Sequence, residues 1–310
     1  MKISIVTPCL NQSKFIVEAV ESVLEQEYPN LEHIIVDGGS TDGTLEELRR
    51  YPHLTVMSGP DRNLYDAFNK GLRSARGDII GHLNGDDVYP EGVFCEVAEA
   101  FRRNTEVEAV CGNACVFEED GLRVRKSIGK YYEIEHKRIS FESALFSPPL
   151  INAKFFRKSV YEKHGGYNDS YSISADREFL LRLAVRGLKE MVLSRVIYCY
   201  RKHVGSLTFD NSSAENIERR LEEKLAICED YAYRFSSTKK IRHLLGAWHT
   251  SISLKQFFLL LPQARYPELL KCAVRGIRYD ALWLARFSQV MIGVLGGKFA
   301  KGRPSMDRKS

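Results

Sequence analysis

The chain has 310 residues, of which 44% are hydrophobic and 27% charged, so it can bury a large core. This composition excludes a disordered chain, a collagen-like chain and a disulfide-stapled miniprotein. The formal net charge of +5 is uneven, because residues 265–310 hold ten Lys/Arg against three Asp/Glu and the rest of the chain carries −2. The seven cysteines include one close pair, Cys111 and Cys115, which indicates neither a zinc cage nor a disulfide framework.

The N-terminal residues reach Pro8 without an apolar stretch of signal-peptide length, so we expect a cytoplasmic protein. From there to about residue 112, short apolar runs alternate with helical patterns, which predicts strand–helix–strand units in a mostly parallel sheet. The predicted strands cover residues 3–7, 33–37, 54–58, 78–83 and 108–112. Ligands of such sheets bind beyond the carboxyl ends of the strands, where this sequence is unusually polar.

The second part of the chain is less regular. Helices are predicted at 158–163 and 175–186 and a strand at 191–200, which we interpret as an acceptor-side half built on the same sheet. After residue 212 the pattern is helical. We therefore expect a catalytic domain over residues 1–212, with a donor half at 1–112 and an acceptor half at 113–212, followed by a helical extension over 213–310.

An acidic turn, Asn84-Gly85-Asp86-Asp87, directly follows the apolar strand that ends at Leu83. Two adjacent carboxylates repel each other unless water, a cation or a metal separates them, and Mg²⁺ or Mn²⁺ shared with a diphosphate suits such a pair. Asn, Gly and Asp are also the usual residues of tight turns. A simple polar turn therefore stays open as the alternative.

Three further polar segments carry possible chemistry. Asp37 follows the second strand, where an acid can accept from a nucleobase or a ribose hydroxyl, but no GxGxxG accompanies it. Asp66, Asn69 and Lys70 fall on one helix face, although a solvated charged face has the same pattern. Asp176 opens a helix and can serve either as a general base or as a complement to the helix dipole.

In this order, the four segments resemble the inverting glycosyltransferases of family 2, whose nucleotide-binding fold is called GT-A. The resemblance covers residues 2 to about 210. It is carried by Val6-Thr7-Pro8 with Asn11, IVDGGSTDGT at 35–44, LYDAFNKG at 64–71, ARGD at 75–78, LNGDD at 83–87, and Ala175-Asp176 with Leu181-Arg182. It implies an α/β GT-A fold, the nucleotide-diphospho-sugar transferase fold, with a mostly parallel central sheet and a helical C-terminal extension.

The resemblance also implies roles for individual residues. Asp37 would lie at the nucleotide base, Asp86 near the ribose, and Asp87 with Asp86 on a divalent metal, Mg²⁺ or Mn²⁺. Asp176 would be the base that deprotonates the acceptor hydroxyl. The implied donor-binding residues are Thr7, Pro8, Asn11, Asp37, Asp66, Asn69, Lys70 and Asp86.

The implied reaction moves a single sugar from a nucleotide-diphosphate sugar to an acceptor hydroxyl with inversion, in lipopolysaccharide, capsule or exopolysaccharide assembly. The Gln-x-x-Arg-Trp motif of processive synthases is absent, so we expect one sugar per encounter. Residues 201–206 match the family's donor-covering loop loosely and receive no role. Two alternatives are a nucleotidyltransferase that makes a nucleotide sugar and, less favoured, a Rossmann-type NAD(P) oxidoreductase.

The C-terminal residues 280–297 place apolar and polar side chains on opposite faces of a predicted helix. This amphipathic pattern is typical of an interfacial helix, and its basic neighbours favour an anionic inner membrane surface. Packing on the catalytic domain or on a dimer partner stays equally open. The expected partners are a nucleotide-sugar donor, a glycan or polyprenyl-linked sugar acceptor and, through 265–310, the membrane surface. The basic residues are not interleaved with aromatic residues, so the sequence does not indicate nucleic-acid binding.

Overall fold

A mixed sheet of eight strands organises the first part of this computed structural model, which describes residues 1–118, 131–203, 205–206, 214–235, 237–279, 283–285 and 287–288. The chain divides into two units, residues 1–213 and 214–310. The strands are β1 (Ile3–Cys9), β2 (Leu31–Asp37), β3 (Thr55–Ser58), β4 (Ile79–His82), β5 (Ala109–Glu118), β6 (Tyr131–Ile134), β7 (Lys154–Arg157) and β8 (Glu190–Lys202).

The strand order is β3-β2-β1-β4-β7-β5-β6, and β8 pairs with β5 outside this path. Strands β3, β2, β1 and β4 are parallel, as are β5 and β8, whereas β7 runs antiparallel to both of its neighbours and β6 is antiparallel to β5. The predicted mostly parallel sheet is confirmed, and the strands of residues 113–212 belong to the same sheet. β7, which comes later in the chain, lies between β4 and β5.

Seven helices surround the described part of this sheet, and their first members connect the parallel strands. Asn63 caps the third of them, since its side chain accepts hydrogen bonds from the N–H groups of Tyr65 and Asp66. Gly71 of the same helix lies against Val6 with no room for a Cβ, so helix and sheet approach closely. The helices are α1 (Ile16–Leu24), α2 (Thr44–Leu48), α3 (Leu64–Ser74), α4 (Val93–Arg103), α5 (Phe141–Phe146), α6 (Lys158–His164) and α7 (Ala175–Arg186).

The largest apolar cluster packs α4 onto the strands, with Phe94 and Phe101 against Ile5, Val110 and Phe155. All five side chains are buried. Burial of each such side chain stabilises the fold by about 1.5–3 kcal/mol relative to exposure. This core fixes the sheet, and the strand ends that carry the polar segments are held with it.

The second unit is helical in its described residues. It contains α8 (Ala214–Arg234), α9 (Lys239–Leu260) and α10 (Tyr266–Tyr279), and Leu221, Leu225 and Cys228 of α8 are buried. Most of the predicted helix at 280–297 lies outside the described residues. Of the helices in the described part of the chain, none combines the length and the apolar character needed to span a membrane.

Candidate active site

The polar segments that follow β1, β2, β3 and β4 meet at one edge of the sheet. β1 lies between β2 and β4, and its last residue, Cys9, is paired with Asp37 in the parallel register. Parallel strands present their carboxyl ends on the same side, so the segments after these strands become neighbours. Gly85 of the acidic turn packs on β1 so closely that a Cβ there would lie 2.9 Å from the Cβ of Cys9.

Asp37 is fully buried, and its carboxylate shapes the loop that follows β2. It accepts hydrogen bonds from the N–H groups of Gly39 and Ser40, both at 3.1 Å, and from the Ser58 hydroxyl at 2.7 Å. The carboxylate is therefore satisfied by protein donors. A ligand at this edge would meet the loop that Asp37 holds.

Asn11 fastens that same loop from the end of β1. Its side-chain oxygen accepts from the Thr41 N–H at 2.9 Å, and its own N–H donates to the Ser40 hydroxyl at 2.8 Å. Thr7 points inward, with its hydroxyl 2.9 Å from Nε2 of buried His33. With the Thr7 side chain turned inward, what β1 presents at this edge is its backbone, including that of Pro8.

On α3, Asp66 and Lys70 interact with the segment that precedes the helix. Asp66 accepts from the Arg62 N–H at 3.1 Å and from its guanidinium at 3.0 Å. These hydrogen bonds, above all the one from the guanidinium, lower the pKa of Asp66 to about 2. The Lys70 ammonium donates to the Pro60 carbonyl at 2.7 Å and to Asp61. The two side chains thus brace a charged segment beside the strand ends.

Asn69, also on α3, is engaged by a different part of the chain. Its amide donates to the Tyr167 carbonyl at 2.8 Å, and its side-chain oxygen accepts from the Tyr167 N–H at 3.0 Å. Both polar ends of the side chain are therefore used in fastening α3 to the segment before α7. Asn69 was predicted to bind the donor. In the structure its side chain attaches α3 to the segment before α7.

Asp87 is buried and anchors the acidic turn to β8. One carboxylate oxygen accepts from the Tyr198 hydroxyl at 2.7 Å and the Asn84 amide at 2.9 Å, and the other from the Arg201 N–H at 2.8 Å. Burial, followed by the charge of adjacent Asp86, raises the pKa of Asp87 well above its usual range. Each oxygen of this carboxylate already has a protein donor.

Asp86 is the more accessible member of the pair. Its Oδ2 lies 2.9 Å from Nε2 of His203, and both side chains are 16% exposed. Its carbonyl accepts from Nε of buried Arg201 at 2.7 Å, and the same guanidinium bonds Glu18 at 2.7 Å. Carboxylate oxygen and imidazole nitrogen are both donors that divalent metals accept, so this pair could hold one.

His203 and Arg201 are functional candidates that the sequence left without a role. The sequence signal was the polar run Arg201-Lys202-His203 at the end of β8. Arg201 also stacks over Phe15 and Phe117, with its guanidinium carbon 4.9 and 4.7 Å from the ring centres. These contacts fix the end of β8 against the acidic turn.

Asp176 lies on the first turn of α7 and is half-buried. Its Oδ1 accepts from the Arg177 N–H at 2.6 Å. The pKa of Tyr200 is raised by burial and then by the charges of Asp87 and of Asp176. Both carboxylates therefore lie within electrostatic reach of one phenol on β8.

A second polar cluster lies inside the acceptor half. Nδ1 of His136 is 3.3 Å from the Lys154 ammonium, and its Nε2 is 3.0 Å from Glu190, with Cys111 close by. Burial lowers the pKa of Lys154 and of His136. Among the described residues, Cys111, His136 and Glu190 form a group of side chains close enough together to hold a metal ion. They already form hydrogen bonds with each other and with a lysine, however. The arrangement is explained as a buried ion pair relayed through an imidazole.

Comparison with known proteins places the chain in a family. Residues 4–165 match the family described as Glycosyl transferase family 2. The uncharacterized glycosyltransferase Rv1514c of Mycobacterium tuberculosis is 32% identical over 202 residues, which are 64% of this chain and 73% of the relative. The chondroitin synthase of Escherichia coli is 26% identical over 242 residues, which are 76% of this chain and 34% of that protein.

A solved structure shares the fold. The mannosyltransferase PcManGT from Pyrobaculum calidifontis, in complex with GDP-Man and Mn²⁺, superposes with a TM-score of 0.59 at 20% identity, covering 98% of this chain and 81% of that one. At this identity the likeness shows the fold alone. The family match and the M. tuberculosis relative identify the chain as a member of glycosyl transferase family 2, a glycosyltransferase with the predicted GT-A fold.

Proposed function

We propose that this glycosyltransferase moves a single sugar from a nucleoside-diphosphate sugar to an acceptor hydroxyl with inversion. The observation that carries the proposal is the meeting of the Asp37 loop, the acidic turn and His203 at one edge of the sheet. PcManGT, which has the same fold, was solved with such a donor. The alternatives, a nucleotidyltransferase and a Rossmann-type oxidoreductase, gain no support from the family match.

Asp86 and His203 fit a divalent metal ion, Mg²⁺ or Mn²⁺, better than Asp87 does. They bring an oxygen and a nitrogen to within 2.9 Å of each other and keep some exposure, whereas Asp87 is buried with both oxygens bonded. We therefore assign Asp86 and His203 as metal ligands and Asp87 as the anchor of their turn. The bound ion would stabilise the leaving nucleoside diphosphate.

The donor would lie over the ends of β1 and β2. Asp37 holds the loop that would receive the nucleotide base, and Asn11 keeps that loop closed against the backbone at Thr7 and Pro8. Asp66 and Lys70 would border the donor on the α3 side, and Asn69 would keep α3 in place. In this arrangement most of the predicted donor residues act by shaping the backbone that meets the donor.

Asp176 would act as the general base. A carboxylate at the start of a helix stays ionised more readily because the helix dipole favours negative charge there. Its charge raises the pKa of Tyr200, as the charge of Asp87 does, which supports a place for Asp176 in the same part of the molecule as the acidic turn. Deprotonation of the acceptor hydroxyl by one carboxylate, followed by in-line attack on the anomeric carbon, inverts configuration without an enzyme nucleophile.

The acceptor that we propose is a glycan or a polyprenyl-linked sugar in lipopolysaccharide, capsule or exopolysaccharide assembly. The similarity to a chondroitin synthase supports a saccharide acceptor. A polyprenyl-linked acceptor would place a cytoplasmic enzyme at the inner face of the cell membrane as a peripheral protein. Addition of one sugar per encounter follows from the missing processive motif.

The test is a panel of UDP-, GDP-, dTDP- and CMP-sugars, scored with and without Mn²⁺ for thermal stabilisation and for nucleotide release. Asp176→Asn should keep donor stabilisation and lose about 10²–10⁴-fold in transfer, the contribution of a general base. Glu162→Gln, an exposed carboxylate change on α6, is the matched control. Unchanged turnover by Asp176→Asn would reject Asp176 as the base, and no stabilisation by any nucleotide sugar would reject the proposed donor class.

A further inference from the structure

An apolar stripe runs along the exposed side of α10. Tyr266 is 71% exposed, Leu270 66%, Val274 45% and Ile277 42%. Their spacing of four, four and three residues places them on one helix face. The adjacent face of the helix is also apolar, with Leu269 buried in the helical unit. A contiguous apolar surface of this kind on a protein marks an interaction site.

Basic side chains flank the stripe. Lys271 and Arg278 are exposed, and neither forms an ion pair with another residue of the described part of the chain. Arg275, by contrast, is neutralised, since it bonds Glu222 at 2.7 Å and Glu229 at 2.6 Å. The stripe thus lies in a segment, residues 265–310, that carries a net charge of +7.

The combination of apolar and cationic groups indicates which kind of partner binds this face of α10. A second copy of the chain would bring the same positive charge against itself, which like-charge repulsion disfavours. An anionic bilayer suits both parts of the surface, because the headgroup–acyl boundary accepts the apolar side chains and the lipid phosphates attract lysine and arginine. We propose that the face of α10 formed by Tyr266, Leu270, Val274 and Ile277 binds the surface of an anionic lipid bilayer.

This docking rests on the surface of the helical unit alone, so its failure would leave the sugar transfer untouched. Full-length protein is sedimented with vesicles of phosphatidylcholine, with or without phosphatidylglycerol. Leu270→Glu should lower the partition coefficient on the anionic vesicles about tenfold or more, because it removes an apolar side chain that the bilayer would bury and adds repulsion. The control is Tyr233→Glu on α8, which alters a side chain 86% exposed outside the stripe and should leave binding unchanged.

The electrostatic part has its own variant. Lys271→Glu should weaken binding to anionic vesicles at least about fivefold, and added salt should weaken the wild type in the same direction. Transfer of sugar to a soluble acceptor should persist in both variants. Three results would overturn the proposal: no binding to anionic vesicles, equal binding to neutral ones, or Leu270→Glu turning a dimer into a monomer in light scattering.

Discussion

Asp86 and His203 lie 117 residues apart in the chain, yet Oδ2 of one and Nε2 of the other are separated by 2.9 Å. β8 makes this possible, because it carries Arg201 past the acidic turn, where its N–H bonds Asp87 and its guanidinium bonds the Asp86 carbonyl. The site is therefore assembled from the predicted donor half and the predicted acceptor half together. Neither half alone contains the pair.

If Asp86 and His203 bind the metal, removal of the imidazole should lower the metal affinity more than it lowers the stability of the fold. His203→Ala should weaken Mn²⁺ binding about 10–100-fold or more, because it removes a proposed ligand and the loss of even an outer-shell partner typically costs that much. Titration of Mn²⁺ followed by electron paramagnetic resonance measures this directly, without turnover. His243→Ala, at an exposed position of the helical unit, is the control. Wild-type Mn²⁺ affinity in His203→Ala would remove the imidazole from the site.

The Tyr198 hydroxyl should stabilise the acidic turn. Its hydroxyl accepts from the Asn84 N–H at 3.1 Å and the Asn152 amide at 3.0 Å, and it donates to Asp87. Tyr198→Phe leaves the Asn84 N–H and the Asn152 amide without this acceptor and removes one of the donors to Asp87, so it should cost about 1–3 kcal/mol in the free energy of unfolding. Urea denaturation measures it. Tyr51→Phe, which removes a partly exposed hydrogen bond, should cost clearly less.

Helices and strands with long apolar runs could be predicted from the sequence. Elements that are stabilised by residues distant in the chain could not. The predicted bounds of α7 agree with the structure, and the strand predicted at 191–200 is the centre of β8. β7 was missed because its four residues begin with Lys154 and end with Arg157, so no apolar pattern announces a strand. Lys154 is nevertheless buried, because the Leu150 carbonyl and His136 satisfy its ammonium.

The same distinction applies to the candidate site. The spacing of the motifs was sufficient to identify the four polar segments as candidates for the site. Three of them follow strands of the same parallel part of the sheet. It could not distinguish a side chain that faces a ligand from one that fastens the fold. Asn69 bonds Tyr167 and Asp87 bonds Tyr198, at separations of 98 and 111 residues, and no local pattern reports such contacts.

Stability should fall as the pH is lowered below about 6.5. Burial lowers the pKa of His33 to about 3, with His53 contributing, and burial lowers the pKa of His82 to about 3 as well. The unfolded chain then binds more protons than the folded one below the usual histidine pKa. Stability is therefore complete above pH ~6.5 and is lost towards pH 3, by up to about 1.4 kcal/mol per pH unit for each histidine.

Urea denaturation at a series of pH values between neutrality and about pH 5 checks this slope. His82→Phe should make it shallower, since the new phenyl ring would pack beside Phe68 without a proton to bind. The exposed change His243→Gln should leave the slope as it is. A slope that is the same in His82→Phe and in the wild type would show that His82 protonates equally in both states.

Gly71, the single glycine of α3, should not tolerate a larger residue. A Cβ at this position would overlap the Val6 side chain and lie 3.0 Å from Cγ2 of Val36, so α3 would have to move away from β1 and β2. Overpacking of this kind costs about 1–3 kcal/mol, which outweighs the gain of up to about 1 kcal/mol in helix propensity. Gly59→Ala is the matched control, because nothing lies within 4 Å of its Cβ position. Since α3 also carries Asp66 and Lys70, Gly71→Ala should weaken donor binding as well, measurable as a smaller thermal shift with the nucleotide sugar, whereas Gly59→Ala should keep the wild-type unfolding midpoint.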